Sequence, residues 1–171
     1  MPLTQETRDL PEISVENCTI GRAMAILGER WTLIVLREVS VGVRRFAEMR
    51  ERTGMPRQVL TDRLAALVDG GILRRVPYRE QGARQRYEYR LTEKGFDLFP
   101  VLLAVREWGD RYLADADGPP VVNVHRECGA PVRVFLRCDD GHEPRSPREV
   151  VGRPGPGARL RPAQKASKVR T

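Results

Sequence analysis

Apolar positions spaced three or four residues apart predict three short helices in the first 54 residues. The first, in "VENCTIGRAMAILGER", places Ile20, Met24 and Leu27 on one face. The second, "WTLIVLREVS", is mostly apolar and too short to be stable alone, so we expect it to be buried. The third, "RRFAEMRERTG", places Phe46 and Met49 on one face and ends at a glycine suited to the left-handed conformation of a helix C-terminus.

A fourth helix is predicted in "GMPRQVLTDRLAALVDGGILRR", where a proline suits the first helical turn and two glycines end the pattern. Polar side chains crowd into its N-terminal half. A helix that enters the DNA major groove presents Arg, Gln and Thr from its first turns to base edges. A solvent-facing surface is the alternative that the pattern leaves open. The expected buried stripe is Val59, Leu60, Leu64 and Leu67, and the polar face is Arg57, Gln58, Thr61, Asp62 and Arg63.

Two β-like runs, "ILRRVPY" and "RYEYRLT", follow the fourth helix and are joined by a turn at Gly82. Arg79, Arg84 and Arg86 lie near the tip of this predicted hairpin. Three helices followed by a basic hairpin, as the last three of these four helices and the hairpin provide, are the layout of a winged helix-turn-helix. In that layout the second helix of the motif reads the major groove, and the wing lies along the backbone or in the minor groove.

Basic side chains are concentrated in two segments, although the net charge is only +7. Residues 44–90 carry 12 basic and 6 acidic side chains, and residues 145–171 carry 8 and 1, while the other parts are mildly acidic. Clustered cations indicate a polyanionic partner, because phosphates attract them and release counterions on binding. A solvated basic face is the alternative. Arg44 and Arg45, at the start of the third helix, are placed to hold backbone phosphates together with the helix N-terminus.

The composition argues against several other classes of protein. With 171 residues and 40% apolar side chains, the chain can form one domain with appendages. The sequence contains no run of about 18 apolar residues that would predict a membrane span, and its first residues lack a signal-peptide pattern, so we expect a cytoplasmic protein. We expect no enzyme, because both histidines lie in a small C-terminal segment and no Gly-rich phosphate loop or Ser/His/Asp arrangement is present.

The segment "EKGFDLFPVLLAVREWGDRYLA" predicts a kinked helix or two successive helices, because Pro100 either bends a helix or starts one. Its apolar residues are more numerous than one winged-helix core would cover. We therefore expect this helix and the N-terminal one to pack against a second copy of the chain. Two recognition helices would then lie about 34 to 36 Å apart on an inverted repeat. The apolar residues are Leu98, Phe99, Leu102, Leu103, Val105, Trp108 and Tyr112.

Four potential zinc ligands follow in two short pairs, as His125-x2-Cys128-x9-Cys138-x3-His142. This spacing indicates either a small ribbon-like zinc site or a remnant whose strands survive without metal. A redox pair or plain thiols are further alternatives. The flanking sequences "VVNVHREC" and "APVRVFLRC" predict a β-hairpin in each case.

Several blocks of the sequence resemble the HxlR-type family of bacterial transcriptional regulators in order and spacing. They are "CTIGRAMAILGERWTLIVLRE", "RRFAEMR", "PRQVLTDRLAALVDGGILRR", "YEYRLTEKG" and "PVLLAVREWG", and they cover residues 18–112. The resemblance implies a dimeric winged-helix DNA-binding protein, as in a family with many repressors. It implies a recognition helix at residues 56–70 and a wing at residues 72–91. Met55 stands where the family has a polar helix-capping residue.

The resemblance also draws attention to Cys18, which some family members use to sense oxidants or electrophiles. Cys18 opens the first helix, where backbone N–H groups and the helix dipole favour a thiolate. Thr19 replaces the proline that usually follows this cysteine in the family. A small packing residue at the dimer interface is the alternative role for Cys18.

We therefore predict an α+β, mainly α, winged helix-turn-helix fold with N- and C-terminal dimerisation helices and a small C-terminal β-hairpin or ribbon-like segment. The expected divisions are a flexible N-terminus (1–14), the DNA-binding and dimerisation domain (15–116), the Cys/His segment (120–143) and a basic disordered tail (144–171).

The function that this fold predicts is sequence-specific DNA binding by a homodimeric regulator, associated with the bacterial nucleoid and released by a thiol reaction or an unknown small molecule. A winged-helix module for protein or RNA interaction is the alternative. The expected base-reading residues are Arg57, Gln58, Thr61 and Arg63, and the expected phosphate contacts are Arg44, Arg45, Arg79, Arg84 and Arg86.

Overall fold

The computed structural model describes residue 14 and residues 16–82 and 84–159. In this part the chain forms helices α1 (Thr19–Leu27), α2 (Arg30–Ser40), α3 (Phe46–Thr53) and α4 (Arg57–Asp69), then strands β1 (Leu73–Tyr78) and β2 (Arg86–Leu91), and then helices α5 (Glu93–Phe96) and α6 (Phe99–Tyr112). The described residues fall into two compact units. One is Met24–Phe135, and the other consists of the described residues before and after it.

The hydrophobic core of the larger unit is built around α2. Val35 and Leu36 on this helix are almost inaccessible to solvent, and α2 contacts α3, α4, β2 and α6. The predicted stripe of α4 faces it, with Leu60, Leu64 and Leu67 fully buried. The prediction that α2 is a buried helix and α4 is amphipathic is therefore confirmed.

The turn between α3 and α4 is fixed by a glycine and a buried methionine. Gly54 ends α3 with φ of 65°, in the left-handed conformation predicted for it. The side chain of Met55 is buried in the core, and no side chain caps α4. Pro56 has an extended ψ of 140° and precedes the helix. Its predicted place inside the first turn is therefore wrong by one residue, because the backbone reaches the core through Met55 before it turns helical.

Strands β1 and β2 form the predicted hairpin, paired antiparallel from Leu73 opposite Leu91 to Tyr78 opposite Arg86. Gly82 has φ of 78° in the connecting loop, a conformation that glycine adopts without strain. The segment before α3 adds a short third edge. There the Tyr89 N–H donates a hydrogen bond of 2.9 Å to the Arg44 carbonyl. We call this hairpin with its loop, residues 73–91, the wing.

Helix α6 begins at Phe99 with Pro100 in its first turn, so the proline starts a second helix and does not kink a single long one. Leu103 is buried, and Leu98 and Leu102 pack against the core from its edge. The other apolar residues of α6 stay exposed to solvent in the single chain. Four of them form one stripe along the helix, the α6 stripe, and the exposed Phe99 lies outside it. The stripe consists of Val101, Val105, Trp108 and Tyr112.

The Cys/His segment contains less regular structure than the sequence indicated. Throughout residues 113–146, all of which are described, no strand is formed. A single antiparallel bridge joins Val124 and Pro131, and the His125 N–H donates to the Ala130 carbonyl at 2.8 Å. The prediction of a β-hairpin in this segment is therefore wrong beyond this bridge. Pro131 itself has no N–H to donate to a strand ladder.

The smaller unit contains the described beginning and end of the chain. Asn17 donates from its side-chain amide to the Gly157 carbonyl, and the Ser14 N–H donates to the Arg159 carbonyl. A single 3₁₀ turn, Pro147–Glu149, lies in the predicted tail. Residues 1–13 of the predicted flexible N-terminus (1–14) and the part of the predicted basic tail (144–171) after residue 159 lie outside the described residues.

No helix in the described part of the chain is both long and apolar enough to cross a membrane.

Candidate nucleic-acid interface

The N-terminal half of α4 presents a polar surface to solvent. Arg57, Gln58 and Thr61 are exposed. The Gln58 side-chain amide donates to Asp62 Oδ1 at 2.8 Å, and the Thr61 hydroxyl donates to the Arg57 carbonyl at 2.9 Å. These bonds restrict the Gln58 and Thr61 rotamers while both residues stay exposed, as an arrangement for contacting base edges requires.

Arg63 differs from the other predicted base-reading residues. It is half-buried, because the helical rotation of about 100° per residue carries position 63 toward the buried stripe. The structure therefore brings Arg57, Gln58 and Thr61 together on the exposed side of α4 and places Arg63 at its flank.

The predicted phosphate contacts occupy the wing and the segment before α3. Arg44, Arg84 and Arg86 are exposed, and Arg79 lies at the start of the wing loop. Arg45 is engaged within the molecule, since its Nη1 donates to Glu80 Oε1 at 2.8 Å. The Arg45 guanidinium also lies over the ring of Tyr78, 4.5 Å from the centroid.

A groove of about 840 Å³ separates the wing from α3 and the start of α4. Three arginines and three tyrosines give it a basic and aromatic surface: Arg50, Arg57, Arg86, Tyr78, Tyr87 and Tyr89. Sequence reasoning missed Arg50 and the tyrosines. The alternation in "RYEYR" was the available signal, because every second residue of a strand lies on the same face.

A buried carboxylate on α2, that of Glu38, supports the helix-turn-helix. The Glu38 side chain is only 3% exposed, and its two oxygens accept hydrogen bonds from Arg37 and Arg52, each at 2.6 Å. Burial raises the pKa of Glu38, but the hydrogen bonds and charges of Arg52 and Arg37 outweigh it and hold the pKa below the usual 4.5. Through Arg52, this carboxylate ties α2 to α3.

Cys18 lies immediately before α1 and is half-buried. Its Sγ accepts a weak hydrogen bond of 3.5 Å from the Gly21 N–H, and its carbonyl accepts the first helical bond from Arg22. The thiol thus stands at the helix start, as predicted, and it is free, like those of Cys128 and Cys138.

The predicted metal ligands form two separate contacts. Cys128 Sγ lies 3.3 Å from His125 Nδ1, and Cys138 Sγ lies 3.4 Å from His142 Nδ1. Among the described residues, no three His, Cys, Asp or Glu side chains are grouped closely enough to hold a metal ion. Zinc binding by these four residues therefore stays a prediction.

A helix-turn-helix with an exposed polar second helix and an adjacent basic wing defines the winged helix-turn-helix class. The HxlR-like helix-turn-helix family matches residues 26–117, more than half of the sequence, and the chain belongs to this family. The resemblance noted from the sequence is thus confirmed.

Individual relatives are HTH-type regulators. An HTH-type transcriptional regulator of Mycobacterium tuberculosis is 44% identical over 142 residues, which are 83% of this chain and 89% of that protein. The crystal structure of PA1607, a candidate transcription factor, is 35% identical with a TM-score of 0.71, and the match covers 81% of this chain and 96% of that one.

A third match is the redox regulator HypR in its oxidized form, 29% identical with a TM-score of 0.51, which covers 57% of this chain and 100% of that one. By family and by these relatives, the chain is a transcriptional regulator of the HTH type.

Proposed function

We propose that this regulator binds DNA sequence-specifically as a homodimer and represses transcription. The observation that carries the proposal is the exposed trio of Arg57, Gln58 and Thr61 at the start of α4, directly beside a basic groove. Arginine and glutamine make bidentate hydrogen bonds to guanine and adenine in the major groove. An interaction module for proteins would instead expose apolar residues at this position.

Phosphate contacts follow from the same placement. With α4 in the major groove, Arg50 and Arg86 line the adjacent groove, and the exposed Arg44 and Arg84 are proposed to contact the backbone nearby. This adjacent groove has the charge to receive a DNA backbone strand. Arg79 at the start of the wing loop is proposed to add to this surface.

The α6 stripe supports the homodimer. Four apolar side chains exposed in one row on a single helix are unfavourable in water unless a partner covers them. A second copy of the chain would cover them symmetrically and set two α4 helices about one DNA turn apart, roughly 34 to 36 Å. The proposed target is therefore an imperfect inverted repeat.

Binding to the DNA upstream of the protein's own gene, compared with unrelated DNA of equal length across a salt series, tests the proposal. We expect wild type to prefer the upstream DNA. Arg57→Ala should lower affinity for it by roughly 10- to 100-fold and leave affinity for unrelated DNA nearly unchanged, since a bidentate base contact contributes about 1 to 3 kcal/mol of discrimination.

Arg57→Lys is the matched control, because it keeps the charge and loses the bidentate fork. It should retain nonspecific binding and lose part of the preference. Equal, salt-sensitive binding of wild type to both DNAs would contradict sequence-specific reading. Binding to neither DNA would favour the alternative, a winged helix that interacts with proteins or RNA.

We further propose that Cys18 makes DNA binding responsive to oxidants. The half-buried thiol at the start of α1 supports this role, as does the similarity to a redox regulator. Diamide should release wild-type protein from its upstream DNA, and Cys18→Ser should abolish the release while binding DNA normally when reduced. Cys128→Ser is the matched control. If Cys18→Ser is released like wild type, Cys18 has no part in the response, and another thiol, Cys128 or Cys138, carries it.

A further inference from the structure

Arg45 joins the helix-turn-helix directly to the wing. It is the N-cap residue immediately before α3, and it forms a β-bridge with Glu88 of β2. Its side chain donates to Glu80 at 2.8 Å and lies over Tyr78 at 4.5 Å. One residue therefore contacts the helix start, the end of β1 and the wing loop.

The wing is attached to the segment before α3 in two ways, by backbone hydrogen bonds and by the Arg45 side chain. At the base of the wing, the backbone bond from Tyr89 to Arg44 fixes β2 to the segment before α3. Farther out, beyond the last pair of the hairpin, the Arg45 side chain holds Glu80 in the loop. The position of the wing loop relative to α3 thus depends on an ion pair between two side chains.

These contacts reach the wall of the groove through Tyr78. Tyr78 lines the groove together with Arg57 and Arg86, and the Arg45 guanidinium packs on the Tyr78 ring. A stacked guanidinium that is also held by a carboxylate has few alternative rotamers. The Arg45, Tyr78 and Glu80 contacts therefore support this wall of the groove, in addition to the backbone bonds that join Arg44 and Arg45 to β2.

We propose that Glu80 is a positioning residue for DNA binding, which acts through Arg45 and Tyr78 to hold the wing at the distance from α4 that a DNA backbone requires. The inference rests on the proposed function. The proposal predicts a change in DNA affinity of the opposite sign to the one expected from charge repulsion alone. A carboxylate beside DNA repels phosphate, so its removal should raise affinity. A carboxylate that positions the wing should lower affinity when it is removed.

The test compares Glu80→Gln in the wing loop with Glu51→Gln, which removes an acid that lines the groove itself. Glu51 forms no ion pair within the part of the chain that the structure describes. At fixed salt, Glu80→Gln should lower affinity for the upstream DNA about two- to fivefold. The expected effect is small because both partners of the ion pair are about half exposed to solvent. Glu51→Gln should raise the affinity.

Hydrogen exchange of the DNA-free protein provides a second readout. Amides of the wing loop should exchange faster in Glu80→Gln than in wild type, while amides of α2 and α4 stay unchanged. A double-mutant cycle completes the design, because Glu80→Gln should no longer lower affinity in an Arg45→Ala background.

A rise in affinity for Glu80→Gln, or an equal fall for Glu51→Gln, would overturn the proposal, as would additive effects of Arg45→Ala and Glu80→Gln. Unchanged exchange in the wing loop would show that Glu80 does not hold the wing and would also overturn it. Wild type without preference for its own upstream DNA would instead contradict the proposed function. The exchange data would still decide whether Glu80 holds the wing.

Discussion

Val105→Asp is expected to convert the protein to a monomer and to lower its affinity for an inverted-repeat site by at least about 100-fold. Val105 is half-exposed at the centre of the α6 stripe. A carboxylate there would be buried without a partner in a symmetric interface. Loss of the dimer removes the linkage between two recognition helices, which commonly contributes factors of about 10² to 10⁴ in affinity.

Sedimentation velocity at micromolar concentration measures the association state, and titration with one-half-site and two-half-site DNA measures the affinities. Val41→Asp is the matched control, because Val41 is an exposed valine at the end of α2, outside the α6 stripe. The control should remain dimeric. A dimeric Val105→Asp variant, or a monomeric wild type, would show that the α6 stripe is not the interface.

Glu38→Ala is expected to lower the free energy of unfolding by about 2 to 3 kcal/mol. Removing one partner of a buried ion pair commonly costs more, about 3 to 5 kcal/mol. Here Arg37 and Arg52 are 46% and 51% exposed and can be solvated once the carboxylate is gone. Urea unfolding followed by circular dichroism measures the change. Glu51→Ala, an exposed acid on α3, should change stability by less than about 0.5 kcal/mol.

The effect of Glu38 should depend on pH in a defined direction. Because its pKa is lowered in the folded protein, folding favours the ionised carboxylate. This contribution is complete above the ordinary value of 4.5 and is lost as the pH falls through the lower pKa of the folded state. The stability difference between wild type and Glu38→Ala should therefore narrow below about pH 4.5. A difference that is constant from pH 7 to pH 3 would exclude an electrostatic origin.

Much of the fold could be predicted from local pattern alone. The spacing of Leu60, Leu64 and Leu67 identified the buried side of α4, and Gly54 marked the end of α3. The hairpin followed from two β-like runs around Gly82. These features depend on residues close in sequence, where periodicity and turn chemistry decide the structure.

The features that the sequence did not indicate depend on contacts between distant residues. The pairing of Arg45 with Glu80 joins residues 35 positions apart, and no spacing rule connects them. Arg63 belonged to the polar face by composition, but helical rotation placed it at the flank. No strands form around Pro131, because a short β-like run needs a neighbouring strand for its hydrogen bonds. In this segment only one bridge, between Val124 and Pro131, is formed.

The buried Met55 has a consequence for how the regulator could switch. Its side chain anchors the turn before α4 in the same core that holds α2, and Arg52 ties α3 to that helix through Glu38. The two helices of the motif therefore move with the core as one body. We therefore expect that a signal which releases the protein from DNA does not retract α4 alone. We expect it to act by changing the separation of the two α4 helices in the proposed dimer, so that they no longer match one turn of the double helix.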